Sequence, residues 1–207
     1  MIIIKLLQAI FLLMLGLTLP ALASDKKIIM LGDSLTAGYG LPADWALPVK
    51  LNDYLEKTFP NIVVINQGLS GDTSGGGAAR IGESLSQQPD GLILALGAND
   101  ALRGLPPSLM RDNLSKIIEA HLAKNIPVFL VGARAPNNWG PSYGAEFDQV
   151  FTDLANQHDL PFYPFLLEGV ALDPELNQGD MMHPNQKGVA EIISRMGPAI
   201  LEFVRAL

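Results

Sequence analysis

Five short apolar runs, separated by stretches with a different period, set the frame of this chain. The runs 27–31, 62–66, 91–96 and 127–131 are rich in Ile, Val, Leu and Phe, and a weaker one follows at 161–163. They show little alternation of apolar and polar positions, the pattern of parallel strands covered on both faces. Between them the period becomes helical. Leu114, Ile117, Ile118 and Leu122 mark one apolar face, Phe147, Val150, Phe151 and Leu154 a second, and Val189, Ile192, Ile193 and Met196 a third. Strand and helix in alternation predict a doubly wound α/β fold, a three-layer α/β/α sandwich with a parallel sheet and right-handed crossovers. Gly197-Pro198 falls inside the last helical stretch and is expected to kink or divide it.

The first 23 residues follow another pattern. Lys5 precedes an almost wholly apolar stretch, 6–19, and Pro20-Ala21-Leu22-Ala23 has the small-x-small form of a cleavage site. Residues 1–23 therefore read as an export signal with Ser24 as the new N-terminus, which in a bacterium means the periplasm or the medium. An uncleaved anchor is the alternative, but the apolar stretch is shorter than the ~20 residues of a membrane span. No linker, repeat or low-complexity tract divides the remainder, so 24–207 reads as a single domain.

Composition narrows the function classes. With 48% hydrophobic and 17% charged residues, the 207-residue chain is globular and not disordered. The net charge is -7, and removing Lys5 leaves 13 basic against 21 acidic residues, or 13 − 21 = -8. No Lys/Arg cluster offers a nucleic-acid surface. The absence of cysteine excludes disulfides, thiolate metal sites, a cysteine nucleophile and a lipid-modified cysteine at the cleavage point. Nothing in the pattern demands a dimer, and a monomer is the expectation.

Candidate chemistry lies where the predicted strands end, because ligands of open parallel sheets bind beyond the carboxyl ends of the strands. The first run exits into Gly32-Asp33-Ser34, the second into Gly68-Leu69-Ser70-Gly71-Asp72-Thr73-Ser74, and the third into Gly97-Ala98-Asn99-Asp100. A last long loop carries Asp180-Met181-Met182-His183-Pro184. Acyl transfer needs a hydroxyl, a base to take its proton, a carboxylate to hold that base, and donors aimed at the developing oxyanion. Ser34 can be the nucleophile and, if it opens a helix, can offer its own N–H. Gly71 can offer a second N–H and Asn99 a carboxamide. Asp180 and His183 stand three apart in a loop.

Each of these has a plainer reading. Ser34 can simply cap a helix, Gly71 can serve a left-handed turn, and Asn99 can close one. Asp33 reads as structural, bonding loop backbone. Asp100 reads as a cap for the segment leading to Leu102, and Ser70 and Ser74 as residues that shape the second loop. His121 falls on the apolar face of its helix as a half-buried packing residue, and His158 closes the next helix, leaving His183 as the base. One Asp-x-x-His pair is too few ligands for a metal. "GDTSGGG" lacks the Gly-Lys-Ser/Thr end of a phosphate loop.

In order and spacing, "GDS", "SGDTS", "GAND" and "DMMHP" resemble the four sequence blocks of the SGNH (GDSL) hydrolases. "GDSLTAGYG", "SGDTS" and "HPN" look most like the bacterial periplasmic multifunctional group with thioesterase, lysophospholipase and arylesterase activities. The resemblance implies a five-stranded flavodoxin-like sheet, Ser34 as nucleophile, His183 as base and Asp180 as its partner. It also implies an oxyanion hole of Ser34, Gly71 and Asn99, with no metal or cofactor. The stretch 74–79, "SGGGAA", departs from that group in its glycine content. Loops 101–107 and 133–140 are the expected walls for a small acyl ester or thioester, with Leu102, Arg103, Asn137 and Trp139 as substrate contacts. Deacetylation of carbohydrate or peptidoglycan on the same fold is an alternative activity, and a non-catalytic binding module an alternative of another class.

Overall fold

The computed structural model describes residues 26–207, so the export signal expected at 1–23 lies outside the described residues. Five strands, β1 (Lys26–Gly32), β2 (Ile62–Gly68), β3 (Gly91–Ala95), β4 (Val128–Val131) and β5 (Phe162–Tyr163), form one sheet. All pairings are parallel, in the order β2-β1-β3-β4-β5. The chain passes through α1 (Ser34–Ala37) and α2 (Leu47–Leu55) to β2, then α3 (Ser74–Ala79) and α4 (Ile81–Ser86) to β3. From there α5 (Ala98–Leu102) and α6 (Pro107–Leu122) lead to β4, α7 (Pro141–His158) to β5, and α8 (Gln186–Arg205) closes the fold. This is the expected α/β/α sandwich, and each strand lies within two residues of its apolar run.

Successive side chains of β1 enter different cores. Ile28 and Met30 pack with α2 and α8, whereas Ile29 and Leu31 pack with α6 and α7. Because both faces are covered, alternation of side chains produces no alternation of polarity. The edge strand β2 departs from that rule: Val63 is 47% exposed, since only one neighbouring strand and incomplete helix cover reach it.

Two helices form against local preference. Helix α8 is not divided at Gly197-Pro198 but runs continuously through both residues. An interior proline costs about 3 kcal/mol. The burial of Ile192, Met196, Ile200 and Val204 outweighs it, each at about 1.5–3 kcal/mol. Gly197 lets α8 approach α2 closely, because a Cβ there would stand 2.9 Å from the Tyr54 ring. Helix α3 contains three consecutive glycines, each costing about 1 kcal/mol relative to alanine. The structure explains two of them. A Cβ at Gly76 would overlap the Asp72 carboxylate, and one at Gly77 would overlap Leu96.

His121 is fully buried and not half-buried as expected. Its Nδ1–H donates to Ile117 O at 2.7 Å and its Nε2 accepts from Ser84 Oγ at 2.8 Å, which ties α6 to α4. Burial lowers its pKa, so the neutral ring is the form held there. No helix among the described residues is long and apolar enough to cross a membrane.

The end of β2 supports α1 by direct contact. A Cβ on Gly68 would overlap the Ala37 backbone. Gly68→Ala is therefore expected to push α1 outward and lower stability by about 1–3 kcal/mol, read as a lower urea midpoint at unchanged m. An unchanged midpoint would contradict this packing.

Candidate active site

The chain leaves β1 toward β2 on one side and returns to β3 on the other, so their carboxyl ends diverge and open a crevice. β1 ends at Gly32, and Asp33 caps α1 by accepting the Leu35 N–H on Oδ1 at 3.0 Å. Ser34 is the first residue of this four-residue helix. So short a helix supplies a free N–H donor more than a dipole.

The last loop brings an imidazole to Ser34. An isolated antiparallel bridge between Asn177 and Pro184 closes this loop at its base. Asp180 Oδ1 accepts the backbone N–H groups of Met182 and His183, both at 3.0 Å. Its Oδ2 accepts His183 Nδ1–H at 2.7 Å. These donors hold the Asp180 carboxyl at a pKa of about 2, the two backbone N–H groups first and the ring next, so it is ionised at any working pH. With Nδ1 carrying the proton, Nε2 is an acceptor, and it stands 2.9 Å from Ser34 Oγ. A proton can pass along that line from hydroxyl to imidazole, and Asp180 can steady the imidazolium that results.

The other two expected donors lie after the ends of β2 and β3. Gly71 has φ +82° and its carbonyl accepts Arg103 Nη2–H at 2.7 Å. Its own N–H, like that of Ser34, meets no acceptor among the described residues. Asn99 Nδ2 donates one hydrogen to Asp33 Oδ2 at 3.3 Å, which leaves the other to point elsewhere.

The second loop is held at several points. Arg80 Nε–H pairs with Asp72 Oδ2 at 2.8 Å, while its Nη2 donates to Gly32 O at 3.1 Å and Gln67 O at 2.9 Å. One guanidinium thus joins the ends of β1 and β2 to the Gly71 loop. Asp100 is not a cap for its own segment. Its buried carboxylate accepts the Ser74 N–H at 2.8 Å and Ser74 Oγ–H at 2.6 Å, so Ser74 is bound to the scaffold.

Asp33 combines burial with charge. It is 2% exposed, and burial raises its pKa to about 6 against the lowering influence of Leu35 N–H, His183 and Asn99. Arg80 and the coupling of Asp33 to Asn99 were not singled out from the sequence. A lone arginine closing a glycine-rich tract was the available signal for Arg80.

The expected wall residues are found in two neighbouring loops. Leu102 is 52% exposed at the end of α5. Trp139 Nε1–H donates to Ala101 O at 2.7 Å, and its ring covers Gly104. Asn137 opens the 3₁₀ turn Asn137–Trp139 and is exposed. Arg103 is joined to Gly71 O. His158 sits at the end of α7, 4.0 Å from Glu119, and has no place in the crevice. Among the described residues no group of three His, Cys, Asp or Glu could hold a metal ion.

Comparison with known proteins bears on this arrangement. The profile of the GDSL-like lipase/acylhydrolase family matches residues 30–190. An arylesterase of Vibrio mimicus is 38% identical over 176 residues, 83% of this chain and 88% of that one. Thioesterase 1/protease 1/lysophospholipase L1 of Escherichia coli (strain K12) is 40% identical over 177 residues, 85% of this chain and 83% of that one. The psychrotrophic esterase EstA from Pseudoalteromonas sp., solved in a form inhibited by monoethylphosphonate, superposes with a TM-score of 0.82. It is 34% identical and covers 87% of this chain and 100% of that one.

The raised Asp33 pKa has a thermodynamic consequence. Raising the folded pKa from 3.8 to about 6 means the folded state holds its proton longer than the unfolded one. Stability is therefore lost as pH rises between these values, by up to about 3 kcal/mol, and the loss is complete above them. The Tm advantage of Asp33→Asn over the parent is expected to grow from about pH 4 to about pH 7 and then level off. A difference independent of pH would show that Asp33 does not titrate in this way.

Proposed function

Since the chain belongs to the GDSL-like lipase/acylhydrolase family, we propose that it is a serine hydrolase of carboxylic esters and thioesters. In this reading it resembles its arylesterase and thioesterase 1/lysophospholipase L1 relatives in activity. The observation that carries the reading is the line from Asp180 Oδ2 through the His183 ring to Ser34 Oγ, with spacings of 2.7 and 2.9 Å.

The reaction divides into two steps. As Ser34 Oγ attacks the acyl carbon, His183 Nε2 takes its proton, and the carbonyl π electrons move onto oxygen. The N–H groups of Ser34 and Gly71 and the free Nδ2–H of Asn99 receive that oxyanion. Collapse expels the alkoxide or thiolate, which leaves with the proton from His183, and an acyl-Ser34 ester remains. Water then repeats the sequence, with His183 as base, and releases the carboxylic acid. Asp180 stays ionised throughout and pairs with the imidazolium at each stage. Neither step requires a metal or cofactor.

The wall side chains Leu102, Arg103, Asn137 and Trp139 are proposed to frame the acyl substrate. The hydrolase domain is proposed to span 24–207 and to act as a monomer in the periplasm or medium. Support for export comes from the n-region, apolar stretch and small-x-small site at 1–23.

Ser34→Ala is expected to lower kcat for p-nitrophenyl ester hydrolysis by at least about 10³-fold, with its circular dichroism unchanged. A fluorophosphonate probe should label the parent chain and not this variant. Asn99→Ala is expected to cost about 10²–10³-fold in kcat. Undiminished turnover by Ser34→Ala would refute the assignment.

A further inference from the structure

We infer that Gln178 is a positioning residue: with Gly40 it clips the loop of His183 to the turn of Ser34 and so sets the distance between imidazole and hydroxyl. The inference rests on the acyl-enzyme reading above and extends it to a residue outside the reacting groups.

The loop of His183 is organised internally. The Asn177–Pro184 bridge and the three bonds to Asp180 fix His183 relative to Asp180, and none of them reaches the turn of Ser34. Among the described residues, two hydrogen bonds cross between segments 33–41 and 177–185. One joins His183 Nε2 to Ser34 Oγ at 2.9 Å, and in the other Gln178 Nε2–H donates to Tyr39 O at 2.8 Å. The first is rearranged whenever the proton moves, so it cannot also act as the anchor. The second involves no reacting atom.

The Gln178 carboxamide has its other hydrogen on Pro184 O at 3.0 Å, one residue beyond His183. Its backbone N–H donates to His183 O at 2.8 Å. One planar NH₂ therefore holds the exit of α1 and the carbonyl after His183 together. A carboxylate of the same size has no hydrogens to donate and could not make either bond.

Gly40 shows that the adjoining turn is shaped to this side chain. Its φ is +74°, and a Cβ there would overlap Gln178 Oε1. Tyr39, whose carbonyl accepts the clip, also lays its ring against the His183 ring, with centroids 4.6 Å apart and planes tilted by 41°. Seating Tyr39 thus confines the imidazole from a second side.

The clip lies at a half-buried position. Water can satisfy the freed carbonyls when the side chain is removed, so the fold is expected to survive while the alignment does not. Displacing a reacting group by about 1 Å costs on the order of 10²-fold.

The experiment measures kcat and KM for a p-nitrophenyl ester, together with urea midpoints, for the parent, Gln178→Ala, Gln178→Glu, Gly40→Ala and the Gly40→Ala/Gln178→Ala pair. Gln178→Ala is expected to lower kcat by about 10- to 100-fold, with KM within about twofold and a parental urea midpoint. Gln178→Glu should fall as far, because shape without donors does not rescue. Gly40→Ala should also lose kcat, and the paired variant should be no slower than Gln178→Ala alone. A parental kcat in Gln178→Ala, full activity in Gln178→Glu, or multiplicative losses in the pair would overturn the clip while leaving the acyl-enzyme reading intact. If Gln178→Ala fails to fold, Gly40→Ala decides: lost kcat at unchanged KM supports the clip, and parental kcat overturns it. A parent chain that neither turns over the ester nor takes a fluorophosphonate label overturns both readings.

Discussion

A hydroxyl on one loop must be held 2.9 Å from an imidazole that lies 149 residues further along the chain. Neither group can ensure this alone. Ser34 is seated by the close approach of backbone at the ends of β1 and β2, where Cβ atoms on Gly32 or Gly68 would overlap Thr36 or Ala37. Arg80 reinforces that junction through the carbonyls of Gly32 and Gln67 and the carboxylate of Asp72. A guanidinium suits the task because its donors diverge in a fixed plane. His183 is seated by its own loop, and that loop must be attached to the first assembly. The design therefore consists of two rigid pieces and a junction between them.

Two carboxylates near that junction are driven in opposite directions. Asp180 gathers donors and titrates at about 2, whereas Asp33 is buried and titrates at about 6. Such separation is how neighbouring acids acquire different duties. Asp180 is a permanent anion opposite the imidazole. Asp33 sits where a negative charge attracts an imidazolium but opposes an oxyanion, and the Asn99 carboxamide lies against it. By accepting one Asn99 hydrogen, Asp33 aims the carboxamide; by being buried, it limits the charge it presents below pH 6.

The sequence made the sheet legible because both of its faces are covered, so that β1, β3 and β4 read as continuous apolar runs. The edge strand β2 was read from the same kind of run, but there the pattern overstates burial, since an edge is not fully covered and Val63 is 47% exposed. Ser34, Asn99 and His183, the groups proposed to react or to bind the oxyanion, could be singled out because each follows a strand or stands in a loop beside a carboxylate. Gln178, Arg80 and Asp100 could not, since their roles depend on partners 139, 48 and 26 residues away. Local rules also failed at Pro198 and at the glycines of α3, where packing against Tyr54, Asp72 and Leu96 overrides helix preference.

The loops expected as substrate walls are tied to the same scaffold. Arg103, an expected wall residue, has its guanidinium on the Gly71 carbonyl, and the Trp139 indole N–H is taken by Ala101 O. Leu102 lies between these two anchors and keeps its side chain exposed. The wall so presents the apolar surfaces of Leu102 and the Trp139 ring beside the exposed Asn137. Apolar contact is weakly directional, worth about 0.8 kcal/mol for each buried methylene, and it grades substrates by length more than by identity. For the proposed hydrolase, a reacting centre aligned by bonds that the substrate does not supply, beside such a wall, would favour breadth over strict selection.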